Sequence, residues 1–286
     1  MTWPALSLPF GHGTNYPLPV VFVRTAVFSS MRYRGRERPT YTRRTEAACY
    51  SGPRVYQLSG EQLDGNDLDV IAGCIRLVYD AGSLDQAITS VQFLEKAFLR
   101  QLGWKTGGAQ RTALVQSLER MRTAVFEFQA DDLKDDDGGW RQTTLILDFT
   151  RRLDGNRMQY TVTLSGHIAS LMQAGKSLIN RSQRNALRTN PLAQSLHAFY
   201  ETHRQPIPLP EARLRPLMQR DHMRDDKWLK ALNCALGELQ TATGWQCSLS
   251  ATGTVTVDKR KPASDSAAGR TAAPAAAASR DEDDEI

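Results

Sequence analysis

The side chains that most often perform chemistry are present in this sequence, but their spacing does not suit it. No H-E-x-x-H or H-x-H motif would place two imidazoles on one metal ion. No C-x-x-C pair indicates a zinc site, and the scattered cysteines do not predict a disulfide framework. These residues are His12, His167, His197, His203 and His222, with Cys49, Cys74, Cys234 and Cys247.

Two glycine-containing stretches resemble parts of a phosphate-binding loop. A Walker loop requires G-x-x-x-x-G-K-[ST] between a strand and a helix. In "FLRQLGWKTGG" (98–108) the glycine pair is followed by Ala109 and Gln110, so no lysine could reach a phosphate. In "SLMQAGKS" (170–177) the motif ends correctly, but Ser170 stands in place of its first glycine. We therefore expect a turn at 103–108, no cofactor, no metal and no enzymatic activity.

The polar residues of segment 225–243 could instead read DNA. Trp228, Leu232 and Leu239 fall on one face of a predicted helix, with Ala235 and Leu236 beside them. The opposite face carries Lys227, Lys230 and Asn233, followed by Cys234, Gly237 and Thr241. Cationic and amide groups hydrogen bond to base edges, and small residues permit close approach. This pattern predicts a recognition helix.

Several arginines precede this helix and could hold DNA by its phosphates. Such contacts fix the register of a protein on the duplex without reading its sequence. The candidate phosphate-contacting residues are Arg181, Arg184, Arg188, Arg220 and Arg224.

Two segments repeat one order of elements, in which three helices precede a hairpin. In the first, "NDLDVIAGCIRLVYDAG", "SVQFLEKAFLRQLG" and "AQRTALVQSLERM" are predicted helices, with Asn66 and Asp67 as capping candidates. Strands "TAVFEFQ", "TTLILDFT" and "MQYTVTL" follow. In the second, helices begin at Asn190, Pro210 and Asp225, before the hairpin "WQCSLS…TVTV". The predicted fold class is α+β, with two tandem winged-helix domains.

Charge divides the chain into four predicted regions. Net charge is +5 in an N-terminal arm (1–52), −3 in a first winged-helix domain (53–165), +4 in a second (166–258) and −1 in a disordered, acidic-ended tail (259–286). Five aspartates in the 131–137 connection would repel phosphate, so we expect the first domain to contact protein and the second to bind DNA. No apolar run is long enough to span a membrane. A reducing bacterial cytoplasm is the expected location.

The sequence resembles the TrfA-like plasmid replication initiators between about Arg24 and Val257. The resemblance rests on four ordered blocks: "LDGNDLDVIAGCIRLV", "FLRQLGWKTGGAQRTALVQSLERMRTAVFEF", "MQYTVTLSGHIASL" and "NPLAQSLHAFYETHRQPIPLPEARLRPLMQ". It implies tandem winged helices that bind directly repeated iterons in double-stranded DNA at a plasmid origin. It also implies opening of a nearby A·T-rich segment, recruitment of the host initiator and helicase machinery, and dimerisation through the first winged helix.

Members of this family can also engage the replicative sliding clamp through a peptide similar to Q-L-S-L-F. Here "ALSLPF" offers Leu6, Leu8 and Phe10 as a possible clamp-binding peptide, although Ala5 replaces the glutamine and Pro9 lengthens the motif. The alternative is that these apolar residues pack on the protein's own surface. For the whole chain, the alternative function is a winged-helix transcriptional regulator acting on a plasmid promoter.

Overall fold

A computed structural model describes residues 15–33, 37–81, 88–129, 139–140 and 142–260. The expected clamp peptide, the 131–137 connection and the tail from residue 261 onward lie outside these residues. The architecture is α+β, and its buried apolar side chains form two cores. The first core draws on residues between Tyr16 and Ala198, and the second on residues between Leu187 and Val257.

The described residues form helices and strands with the following bounds. The helices are α1 (Val21–Arg24), α2 (Gly65–Asp80), α3 (Glu95–Gln101), α4 (Gly108–Thr123), α5 (His167–Ala174), α6 (Arg181–Ala186), α7 (Pro191–Glu201), α8 (Glu211–Leu217) and α9 (Asp225–Thr243). The strands are β1 (Asn15–Pro19), β2 (Phe28–Ser29), β3 (Thr40–Tyr41), β4 (Thr45–Ala47), β5 (Arg54–Glu61), β6 (Leu63–Asp64), β7 (Ile88–Leu94), β8 (Val125–Gln129), β9 (Gln142–Thr143), β10 (Ile146–Asp154), β11 (Arg157–Ser165), β12 (Lys176–Asn180), β13 (Leu209–Pro210), β14 (Gln246–Leu249) and β15 (Thr254–Asp258).

One arrangement of helices and strands occurs in both halves of the chain. In the first half, α2, β7, α3 and α4 precede the β10–β11 hairpin, and the antiparallel sheet has the order β10-β11-β7. In the second half, α7, β13, α8 and α9 precede the β14–β15 hairpin, and the sheet order is β13-β15-β14. In each half the strand between the first two helices therefore pairs with the last strand of the hairpin.

The segment "SVQFLEKAFLRQLG" is not one helix, which corrects the sequence-based prediction. Residues up to Leu94 form β7, and α3 begins only at Glu95. Val91 and Phe93 are buried while Ser90 and Gln92 are exposed, which is the alternation of a strand. Pairing of Val91 with Val162 on β11 decides the conformation, because cross-strand packing outweighs local helix propensity.

Helix α2 begins earlier than predicted, because its N-cap lies two residues before the first capping candidate, Asn66. Asp64 is the N-cap, and its carboxylate accepts from the backbone N–H groups of Asn66 and Asp67. The Asp67 carboxylate in turn accepts from Asp64 N at 2.9 Å, completing a capping box. By contrast, Asn190 caps α7 as predicted, with Pro191 in the first turn.

Residues 15–33, which the sequence analysis assigned to an N-terminal arm, contribute side chains to the first core. Strand β1 pairs antiparallel with β12, and β2 pairs parallel with β6. Tyr16, Leu18 and Phe22 are each at most 2% exposed. The apolar run "PLPVVFV" thus supplies core side chains that the helices and the hairpin alone do not provide.

Candidate nucleic-acid interface

Helix α9 is fixed by its apolar face. Trp228, Leu232 and Leu239 are fully buried in the second core, as the sequence predicted. The Trp228 indole N–H donates to the Glu211 carboxylate, which attaches α9 to the start of α8. Gly244 ends the helix in the left-handed conformation, with φ of +75°. These contacts hold α9 rigidly enough for its opposite face to serve as a binding surface.

The exposed face of α9 is the first candidate interface. Lys227, Lys230 and Asn233 are all exposed, and so are the small residues that follow. Gly237 has no atom within 4 Å of the position where a Cβ would lie. The face therefore offers two cations, one amide and a smooth surface next to them. That chemistry suits the edges and phosphates of a duplex major groove, and binding of DNA by these residues stays a prediction.

Two carboxylates lie at the start of α9 and are paired with arginines. Asp225 accepts a hydrogen bond from Arg215 at 2.6 Å, and Asp226 accepts one from Arg224 at 3.1 Å. Because these pairs neutralise one another, they reduce the repulsion that free carboxylates would exert on a phosphate. Arg224 itself is 79% exposed, so its guanidinium can also reach a ligand.

Arg184 is not placed to bind DNA, which corrects its assignment from sequence. Its side chain is only 2% exposed and donates to Asp69 at 2.5 Å. Its other donors reach the backbone carbonyls of Gly65 and Gln194. Arg184 joins α6 to α2 and α7. Its burial could not be predicted from neighbouring residues, because Asp69 lies more than a hundred positions away.

The other arginines proposed for phosphate contact are also used within the protein to different degrees. Arg188 donates to Leu102 O at 2.5 Å, and burial lowers the pKa of its guanidinium. Arg220 donates twice to Ser30. Arg181 is partly exposed and makes a 3.5 Å contact with Gln101 O. Of the five arginines predicted to contact phosphate, Arg224 is the most exposed.

A second candidate interface, which we call the first groove, lies between α3, α4 and the β10–β11 hairpin. It encloses about 700 Å³. Leu94, Val115 and Met158 contribute apolar lining, and Leu153 at its rim is 65% exposed. Five cationic side chains line it: Lys96, Arg100, Arg111, Arg151 and Arg157.

The carboxylate in the first groove is largely neutralised. Glu95 is buried, pairs with Arg111 at 3.0 Å and accepts from the Tyr160 hydroxyl at 3.2 Å. Burial raises the pKa of Tyr160, and the neighbouring Glu95 raises it further, so the hydroxyl keeps its proton. The groove therefore has a net positive charge. The sequence analysis did not predict this groove because its cations are spread over positions 96 to 157. A net charge summed over that segment also includes the aspartates of the 131–137 connection, which offset the cations.

Two further observations concern the described part of the chain. Within it, no three histidine, cysteine, aspartate or glutamate side chains converge in a way that could hold a metal ion. None of the described helices α1 to α9 is both long and apolar enough to cross a membrane.

Comparison with solved structures finds a similar fold in two crystal structures. The chain is similar to a crystal structure of domains 2 and 3 of RctB, with a TM-score of 0.55 and 13% sequence identity. The match covers 84% of this chain and 97% of that one. A second crystal structure of RctB domains 2–3 matches with a TM-score of 0.48. No protein-family model and no curated protein matches the sequence. At this identity the likeness establishes a shared fold.

Proposed function

We propose that this protein is a replication initiator that binds double-stranded DNA through two winged-helix units. RctB is itself a replication initiator, and the repeated order of helices and strands supports the winged-helix assignment. The observation that carries the proposal is the exposed face of α9, where Lys227, Lys230 and Asn233 lie opposite a fully buried stripe. In a winged helix the third helix enters the major groove, and α9 occupies that position.

The first groove supports a second contact with DNA. Its five cations lie on α3, α4 and the hairpin that corresponds to a wing, and wings contact the phosphate backbone beside the recognition helix. This modifies the expectation that the first unit contacts only protein. Dimerisation through the first unit remains part of the proposal. Among the described residues β10 pairs only with β11, so its other edge is open to a second strand.

The finer steps come from the resemblance to TrfA-like initiators. We propose that the target is a set of directly repeated iterons at a plasmid origin, and that binding helps to open an adjacent A·T-rich segment. Host initiator and helicase proteins would then assemble there. The protein needs no catalytic activity or cofactor for this role. Leu6, Leu8 and Phe10 would add a contact with the sliding clamp, and the protein would act on DNA in the bacterial cytoplasm.

The proposal is tested by sequencing the DNA beside the gene for direct repeats and titrating the full chain onto a labelled duplex that carries tandem copies of such a repeat. Discrete, ladder-like complexes are expected, with weaker binding to a shuffled duplex of equal length and composition. Equal affinity for both duplexes would rule out sequence-specific initiation. A transcriptional regulator would also pass this test. Cloning the gene and its neighbouring DNA onto a circle that cannot otherwise replicate separates the two, since only an initiator maintains the circle.

A further inference from the structure

The two cores are joined by polar contacts as well as by the chain itself. Arg24, at the end of α1, donates to the Thr202 hydroxyl at 2.9 Å and to Thr202 O at 2.8 Å. Thr202 directly follows α7, the first helix of the second unit. This contact ties the N-terminal part of the first core to the helix that begins the second.

The loop that leads into α9 is also held by the first core. Ser30, which is 1% exposed, donates to Met218 O at 2.5 Å. Arg220 donates to the Ser30 hydroxyl at 2.8 Å and to Ser30 O at 2.6 Å. The Gln219 side chain donates to Ala26 O at 2.7 Å and to Gln62 Oε1 at 2.9 Å. The acceptors of these Gln219 and Arg220 side-chain hydrogen bonds all belong to residues between Ala26 and Gln62.

The backbone of this loop depends on those contacts. Gln219 has φ of +52°, which for a residue with a Cβ costs on the order of 1 kcal/mol. It is the only described residue other than glycine with positive φ. The loop ends at Arg224, the N-cap of α9. The Trp228–Glu211 hydrogen bond joins α9 to α8, so the helices on either side of this loop are in direct contact.

We propose that Arg24, Gln219 and Arg220 are positioning residues that set the spacing of the DNA site. By binding the second unit to the first, they fix where the exposed face of α9 points relative to the first groove. The two contacts would then fit only base pairs separated by a defined length of duplex. This inference rests on the proposed function, in which both surfaces contact the same DNA.

The test uses selection from random duplex DNA by the full chain. The junction variant carries Arg24→Gln, Gln219→Gly and Arg220→Gln. Glycine tolerates positive φ, so Gln219→Gly allows the loop backbone to keep its conformation while removing the hydrogen bonds of the glutamine side chain. The original chain should select a two-part site with one spacing. The junction variant should select the same two sequence elements, with the preference for that spacing over neighbouring ones reduced about tenfold.

A matched control variant carries Arg43→Gln, Gln205→Gly and Arg213→Gln, all at exposed positions. It should retain the spacing of the original chain. An unchanged spacing in the junction variant would overturn the inference while leaving the proposed function intact, as would a one-part site in the original chain. Failure of the original chain to enrich any sequence would overturn the proposed function itself.

A second measurement detects the junction without DNA. Spin labels are placed on Cys234, which is exposed on α9, and on an introduced Thr112→Cys in α4, with Cys49 and Cys247 replaced by serine. The distance distribution between the labels should broaden in the junction variant and not in the control. Equal widths in both would overturn the positioning role even if the junction variant lost stability. Lost DNA binding with unchanged widths would likewise overturn it, because the loss would then not come from a change in the junction.

Discussion

Arg184 and Lys230 carry the same charge, but their surroundings give them different roles. Arg184 is buried against Asp69, whereas Lys230 is exposed on α9. Replacing Arg184 with alanine would leave the Asp69 carboxylate buried without its main partner. We expect a loss of about 3–5 kcal/mol in the free energy of unfolding, measured with urea. Arg181→Ala, in the same helix, should cost far less, and equal losses would contradict the structural role of Arg184.

At Asn233 the expected effect concerns DNA recognition. An amide can form two hydrogen bonds with adenine, and losing a bidentate contact costs about 1–3 kcal/mol of discrimination against the wrong base. Asn233→Ala should therefore lower affinity for the selected site more than for shuffled DNA, as measured by fluorescence anisotropy. Lys227→Ala should lower both more evenly, since a phosphate contact carries no sequence information. A uniform loss from Asn233→Ala would remove its role in base reading.

His197 makes stability depend on pH. It is fully buried, stacks on Trp245 and lies 3.5 Å from Glu201 and 3.1 Å from Gln183. Burial lowers the pKa of its imidazole below the ordinary 6.5, the Glu201 carboxylate raises it in part, and the charges of Arg184 and Lys259 lower it further. The unfolded chain therefore binds a proton that the folded chain does not, and stability falls as pH drops below about 6.5.

Replacing His197 should change the slope of the free energy of unfolding against pH. Between pH 7.5 and 5, the original chain should lose up to about 1.4 kcal/mol per pH unit for this group, measured by urea unfolding at each pH. His197→Gln should show a shallower slope. His203, whose pKa burial also lowers, would account for part of what remains. Replacement of the exposed His222 by glutamine is the control, and an equal slope in all three proteins would exclude this origin.

Helix α9 contains a glycine that lowers its helical stability and lies on its exposed face. Gly237 lies within the helix, has no neighbour within 4 Å of a potential Cβ, and lies on the face that we propose to contact DNA. Gly237→Ala should raise the free energy of unfolding by about 0.5–1 kcal/mol, because alanine loses less backbone entropy in a helix. The same methyl group should weaken DNA binding if the helix lies close to the groove floor.

Measuring stability and DNA affinity together distinguishes a DNA-contacting face of α9 from a solvent-exposed face that binds nothing. Urea unfolding and DNA titration are measured on one preparation of Gly237→Ala. Gly108→Ala, at the start of α4 and likewise free of neighbours, is the comparison. A more stable protein with unchanged DNA affinity would show that this part of α9 does not approach the duplex.

Elements whose pattern is local could be predicted from the sequence. The burial of Trp228 and Leu232, the cap at Asn190 and the left-handed Gly103 all follow from helix periodicity and terminal residues. The strand at 88–94 could not be predicted in this way, because Phe93 and Phe98 also fit a helical stripe. Only pairing with β11, more than sixty positions later, distinguishes the two conformations.

Of the two candidate interfaces, one could be predicted from the sequence and the other could not. The exposed face of α9 lies within one helix and was therefore visible in the sequence. The first groove draws its cations from α3, α4 and a distant hairpin, so no window of the sequence contains it. Arg184 and Arg220 were assigned to DNA because an arginine near a basic helix gives no indication of a buried partner such as Asp69 or Ser30.

For the whole molecule, the arrangement of charge matters more than its sum. A net charge of +5 is modest for 286 residues, yet both candidate interfaces are cationic and their nearest carboxylates are paired. In these ion pairs the arginine offsets the negative charge of the carboxylate, which weakens the repulsion of an approaching phosphate. If both surfaces contact one duplex, each released counterion should contribute to a steep dependence of affinity on salt.

This dependence provides the last prediction. Arg151→Ser with Arg157→Ser removes two exposed cations from the first groove. If both contact phosphates, the slope of log affinity against log salt should become shallower by about 1.8, or 0.9 for each contact. Arg43→Ser with Arg54→Ser, exposed residues outside both candidate interfaces, removes the same formal charge. Because long-range attraction depends on total charge and released counterions depend on contact, a slope that changes equally in both variants would place the first groove away from the DNA. A slope altered only by the groove variant, with the order of preferred sequences unchanged, would assign the first unit to holding the backbone while α9 reads the bases.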